Sequence, residues 1–149
     1  MIRFISIVLT ALLSLPVLAE PSSDNLRSGE QVYEKVCSAC HGTGVAHAPR
    51  FKDKDAWAPL IAEGQAVLTA HAWVGVRAMP AKGGSPDLQL LEFARAVAWM
   101  ASNAGGDWKD PDIKVMRAIT REAEKRLEGA MREAQLMKKE LHRLNRMDR

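Results

Sequence analysis

Apolar positions in this chain recur at helical spacing, and nowhere do they alternate long enough to make a sheet. Leu90, Phe93, Ala96, Val97 and Met100 fall on one side of a predicted helix over 86–103. Ser85-Pro86-Asp87 starts it, with proline in the first turn, and Gly105-Gly106 ends it. A shorter helix is predicted from Ser28 through Val36. Ser28 can cap it, and Glu30 lies where the positive helix start favours an acid. Gly29 and Tyr33, four apart, share a face of it. Two more short helices are expected. One covers 55–63, with Asp55 as cap and Trp57 near its start; the other covers 65–75 and ends near Gly75. Gly42-Thr43-Gly44 marks one loop, and Arg77 to Ser85, with Met79-Pro80 and Gly83-Gly84, marks another.

Beyond a hinge at 107–111, Asp110-Pro111-Asp112 begins a helix that runs to the chain's end. From Ala123 its apolar positions (Leu127, Ala130, Ala134, Met137, Leu141, Leu144) step by alternating threes and fours, a weak heptad. Glu122 lies four before Arg126 and Glu128 four before Arg132, the favourable direction for ion pairs along a helix. Alanine at several seam positions makes it a poor self-sufficient zipper. The amino terminus has a different pattern. Arg3 precedes an apolar run from Phe4 to Leu15, Pro16 breaks the run, and Val17-Leu18-Ala19 lead to a cut. That is the three-part form of a cleaved export signal. A membrane anchor, the weaker alternative, needs roughly 20 apolar residues. The chain therefore divides into a signal peptide at 1–19, a polar lead-in at 20–27, a domain at 28–106 and a charged amphipathic extension at 107–149. The periplasm is the expected location, with an inner-membrane anchor facing the periplasm as the alternative.

The 149 residues suit one domain plus an extension. Charge refines this division. Residues 20–106 carry eight basic against nine acidic residues, and 107–149 carry twelve against nine, so the basic excess belongs to the extension. No cluster is dense enough for nucleic-acid binding. The extension's mixed charges and lack of aromatics argue against a helix lying on a membrane. A helix–helix partner or self-association fits it better; a solvated helix resting on its own core is the plain alternative.

The two cysteines carry the chemistry. They lie in Cys37-Ser38-Ala39-Cys40-His41, two thiols about one helical turn apart with a histidine directly after. That spacing lets both sulfurs add to the vinyl groups of one haem while His41 binds the iron, the pattern of c-type haem attachment. Thioether formation requires export, and the signal segment agrees. A thioredoxin-like pair would need a βαβ setting, which the pattern lacks. Zinc would have to recruit His47 or His71, and no second ligand pair is present. A bare disulfide would leave His41 unexplained. For the second axial position Met79 is the choice, in an irregular loop next to Pro80. Thioether sulfur suits haem iron, and Met/His ligation raises the reduction potential. His71 is the rival and would give bis-histidine ligation. Met100 fits core filler, and Met116, Met131, Met137 and Met147 belong to the extension.

With these residues in view, the chain resembles class I bacterial cytochromes c, and within them the small c-five type. The resemblance rests on the string from Tyr33 to His41, on Gly44-Val45-Ala46, Ala48-Pro49, Asp55-Ala56-Trp57 and Gly75, and on Ala78 to Gly84 and Ala96 to Met100. It covers about residues 28–103. It implies an all-α class I cytochrome c fold around one covalent haem c, its first and last helices crossing where Gly29 and Tyr33 meet Ala96 and Trp99. It also implies that Pro49 offers its carbonyl to the His41 ring nitrogen facing away from iron, and that Trp57 packs near a haem propionate, a plain core tryptophan being the alternative. Some relatives carry a second cysteine pair; here no cysteines remain for one. The extension is not part of the family pattern.

The expected function is a single-electron carrier between redox protein partners, not an enzyme. No catalytic constellation competes, since Asp53 and Asp55 are better taken as loop and cap residues. A haem-based gas or redox sensor, with Met79 weakly held and the extension passing on the change, is the alternative.

Overall fold

The computed structural model describes residues 26–147. The signal segment at 1–19 and most of the lead-in lie outside the described residues. Six α-helices are present among them: α1 (Gly29–Val32), α2 (Ser38–His41), α3 (Lys54–Ala62), α4 (Gln65–Val74), α5 (Leu90–Asn103) and α6 (Ile113–Met147). No strand is present among the described residues, only an isolated bridge between Val76 and Met79. The all-α expectation is met, and the long terminal helix is there.

The opening helix is capped as the sequence suggests. The Ser28 hydroxyl accepts from the Gln31 backbone N–H, and the Gln31 side chain reaches back to the Ser28 N–H. Between α1 and α2 the chain continues through a π-helical turn, Tyr33–Cys37, so the cysteine segment is a direct extension of the first helix. Such turns are rare and concentrate at functional sites.

Two boundaries differ from expectation. Helix α3 is capped by Asp53, whose carboxylate accepts from the Ala56 N–H at 3.1 Å, and not by Asp55. Aspartate at both 53 and 55 made either position plausible; only Asp53 has the extended backbone a cap needs. Helix α5 begins at Leu90 and not at Pro86, because Gln89 and Glu92 form its capping box. Glu92 is buried and also takes a two-pronged bond from the Arg27 guanidinium, at 2.8 and 3.0 Å, plus one from the Arg27 backbone N–H. This fork ties the entry of α1 to the start of α5, and it holds the Glu92 carboxyl down at about 2, against an ordinary 4.5.

Helices α1 and α5 cross at very short range. A Cβ added to Gly29 would fall against the Arg95 carbonyl and within 2.9 Å of the Trp99 Cβ. The crossing extends into an aromatic trio: Tyr33 and Phe51 lie 4.4 Å apart, and Phe51 stacks on Trp99 at 4.8 Å. Val32, Leu88, Phe93, Val97 and Met100 fill the core beneath.

Helix α6 is partly integral to this body. Its first turns pack along α4, burying Ile119 and Ala123. Asp112 caps it, accepting from the Val115 N–H at 2.8 Å. Arg95 bonds Asp110, and Gln65 bonds the Lys109 carbonyl, so the hinge is fastened to the domain as well. Past Ala123 no residue of α6 is buried. The expected pairs Glu122–Arg126 and Glu128–Arg132 are present at 3.2 and 3.9 Å.

Candidate functional site

The site is built on the helix that carries the two cysteines. Cys37 closes the π-helical turn and packs half-buried against the core; Cys40, three residues on, is exposed. Both are free thiols. Burial, reinforced by the neighbouring Cys40 charge, pushes the Cys37 thiol up to about 11. A redox-active pair needs the opposite shift, toward thiolate, so the thioredoxin-like alternative loses ground here.

His41 ends α2 with its ring buried. Its Nδ1 lies 2.8 Å from the Pro49 carbonyl oxygen. A carbonyl only accepts, so Nδ1 carries the proton and Nε2 keeps its lone pair free. The chain secures this arrangement twice more. The His41 carbonyl accepts from the Phe51 N–H at 2.7 Å, and the Trp57 Nε1–H donates to the Arg50 carbonyl at 2.8 Å. Residues 49–51 are thereby pinned from both sides. Trp57 is buried with its ring 6.0 Å from that of His41. Its N–H is spent on Arg50, so its visible work is to hold the Pro49 loop.

Met79 comes from a separate element. Helix α4 ends at Gly75, whose φ of +100° turns the chain sharply. Val76 and Met79 then exchange both backbone hydrogen bonds, at 2.9 and 3.0 Å, closing a tight turn. Its side chain packs, partly buried, against the core. Beyond it Lys82 anchors the loop, its ammonium 4.9 Å from the Trp73 ring and 2.8 Å from the Pro86 carbonyl. His71, the rival ligand, directs its Nδ1 to Glu63 at 2.7 Å. His47 is exposed in a strained turn with φ +62°.

The donor set fits a haem c. Two unpaired thiols one turn apart, a histidine whose free nitrogen is chosen by its carbonyl partner, and a half-buried thioether are what covalent attachment and Met/His ligation require. Thr69, fully buried in α4, has a hydroxyl with no partner among the described residues, as a buried polar atom does when a bound group supplies its contact. No group of three or more His, Cys, Asp or Glu side chains that could hold a metal ion occurs among the described residues.

Sequence reasoning missed two contributors. Phe51 welds the Pro49 loop to the helix crossing, and its only signal was a lone aromatic in a charged stretch. The Arg27–Glu92 fork spans 65 residues and left no local trace.

Comparison with known proteins agrees with the geometry. Residues 24–100 match the family described as cytochrome C oxidase, cbb3-type, subunit III. Cytochrome c-555 of Chlorobaculum thiosulfatiphilum is 41% identical over 81 residues, 52% of this chain and 94% of its own. Cytochrome c-555 of Chlorobaculum tepidum is 35% identical over 108 residues, 70% of this chain and 99% of its own. Cytochrome c5 of Azotobacter vinelandii is 39% identical over 77 residues, 50% of this chain and 93% of its own.

Proposed function

Because the chain belongs to the class I c-type cytochromes, we propose that it is a periplasmic monohaem electron carrier with His41 and Met79 as axial ligands. Cys37 and Cys40 would hold the haem covalently. The chemistry a haem c supplies at such a site is a one-electron ferric/ferrous couple.

The observation that carries the proposal is the His41–Pro49 contact at 2.8 Å. It fixes the proton on Nδ1, orients the ring and leaves Nε2 as the metal-binding atom, before any cofactor is considered. The remaining residues limit movement. Phe51, Trp57 and Tyr33 hold the loop and helix that frame His41, and the Val76–Met79 turn holds the thioether. A site so braced changes oxidation state with little rearrangement. Single-electron exchange with redox protein partners follows from that chemistry; the extension is one surface available to them. The export signal read at 1–19 supports the periplasmic assignment.

The test is the visible spectrum of the exported protein, oxidised and reduced, with and without carbon monoxide. A sharp low-spin c-type spectrum that ignores the gas is expected. A reduced spectrum that shifts with carbon monoxide would replace the carrier with the ligand-sensing alternative.

A further inference from the structure

The outer half of α6 presents an apolar face that no other element among the described residues covers. Leu127, Met137, Leu141 and Leu144 are all exposed, Leu141 by 65%. With Ala130 and Ala134 they keep the 3-4 heptad step through three repeats. At 3.6 residues per turn this stripe lies on the same face as Ile119 and Ala123, which are buried against α4. One continuous face therefore serves the domain in its first third and is unpartnered beyond.

We propose that this face is filled by the same segment of a second copy of the chain, running antiparallel. The domain's position decides the direction. It sits on the seam side of α6, so a parallel pair would bring two domains into one space between the helices. An antiparallel pair overlapping through the outer halves of α6 keeps the two domains on opposite sides of the overlap. Registered so that Leu127 faces the partner's Leu144, Ala130 meets the partner's Leu141 and Ala134 meets the partner's Met137. Every alanine then faces a large side chain, whereas a parallel seam would stack alanine on alanine. In this register the partner's Met147 comes level with Glu124, one residue past Ala123, the last position covered by the domain.

The overlapping seam is about 26 Å long. Its interface is on the order of 1,000 Å², at the lower end for specific association, so the dimer should be reversible and micromolar. Charge sets a further signature. The antiparallel register brings Glu133 toward the partner's Glu140, which is already paired with Arg143 of its own chain at 2.7 Å. Salt should therefore tighten the dimer. A parallel pair would set Glu133 beside the partner's Lys138, and salt would loosen it.

The experiment is sedimentation of the full exported holoprotein across concentration and salt, beside L141E and a nitroxide-labelled R146C. Expected are a concentration-dependent dimer strengthened by salt, loss of at least tenfold in affinity in L141E with an unchanged visible spectrum, and labels more than about 30 Å apart. Labels at about 20 Å or closer would refute the antiparallel arrangement. A chain monomeric up to several hundred micromolar, a dimer indifferent to L141E, or a monomer that instead binds anionic phosphatidylglycerol vesicles through α6 would each overturn the proposal.

Discussion

Replacing Gly29 by alanine tests whether the α1–α5 crossing is as tight as the structure makes it. In an exposed helix interior, glycine to alanine gains up to about 1 kcal/mol. Gly29 is the first helical residue after its Ser28 cap, so its gain is smaller. Against this stands the added Cβ, which meets the Arg95 backbone oxygen and the Trp99 Cβ at 2.9 Å. Neither neighbour is the end of a flexible side chain, so the two helices must separate. Overpacking of this kind costs about 1–3 kcal/mol, and the upper part of that range applies because backbone must move. The net loss should be roughly 2 kcal/mol, lowering the melting temperature by about 5–10 °C. Gly129 supplies the control. It sits inside α6, and an added Cβ would find only the Arg132 guanidinium, at 4.0 Å. G129A should stabilise α6 by up to ~1 kcal/mol. Denaturant unfolding of both holoproteins, followed at the haem band and by circular dichroism, reads the two signs. A G29A protein as stable as the parent would refute the close crossing.

Two further outcomes follow. The Arg27–Glu92 fork should add stability above pH 4.5 that is lost as pH falls toward about 2, because the carboxyl is depressed in the folded state and must take up a proton to lose its partner. That shift alone corresponds to roughly 3 kcal/mol, and we take about 1–2 because the Arg27 side chain is a third exposed to solvent; an E92Q protein with the same acid-unfolding profile as the parent would contradict it. Met79→Ala should lower the reduction potential on the order of 0.1 V and open the iron to carbon monoxide, since axial ligands set potentials over a range of about 0.8 V; an unchanged potential by spectroelectrochemistry would remove Met79 from the iron.

Much of this was legible in the sequence because it is local. Cys37, Cys40 and His41 declare their chemistry by spacing within one turn, and the α5 stripe declares its buried face by period. Boundaries were less legible where two residues could do one job, as Asp53 and Asp55 could for α3. The capping of α5 was hidden because Glu92 serves Gln89 and Arg27 together, and Arg27 lies 65 positions away. The π-helical turn at Tyr33–Cys37 was invisible, since one widened turn leaves no mark in the spacing of apolar positions. The extension could be read as a helix but not divided: its apolar positions continue on both sides of Ala123, and only the placement of α4 shows where cover ends.

That division bears on the site unevenly. His41 is held from its own neighbourhood, by Pro49, Phe51 and the Trp57–Arg50 bond, and by the aromatic trio that joins this loop to α1 and α5. None of these contacts involves α6. Met79 hangs instead on the turn that follows α4, and α4 is the helix against which α6 packs. The extension, although outside the matched family region at 24–100, therefore touches both sides: α6 packs on α4, which precedes Met79, and Asp110 bonds Arg95 of the α1–α5 crossing. The two axial candidates stand on separate elements, Met79 on the turn after α4 and His41 on α2 and the Pro49 loop.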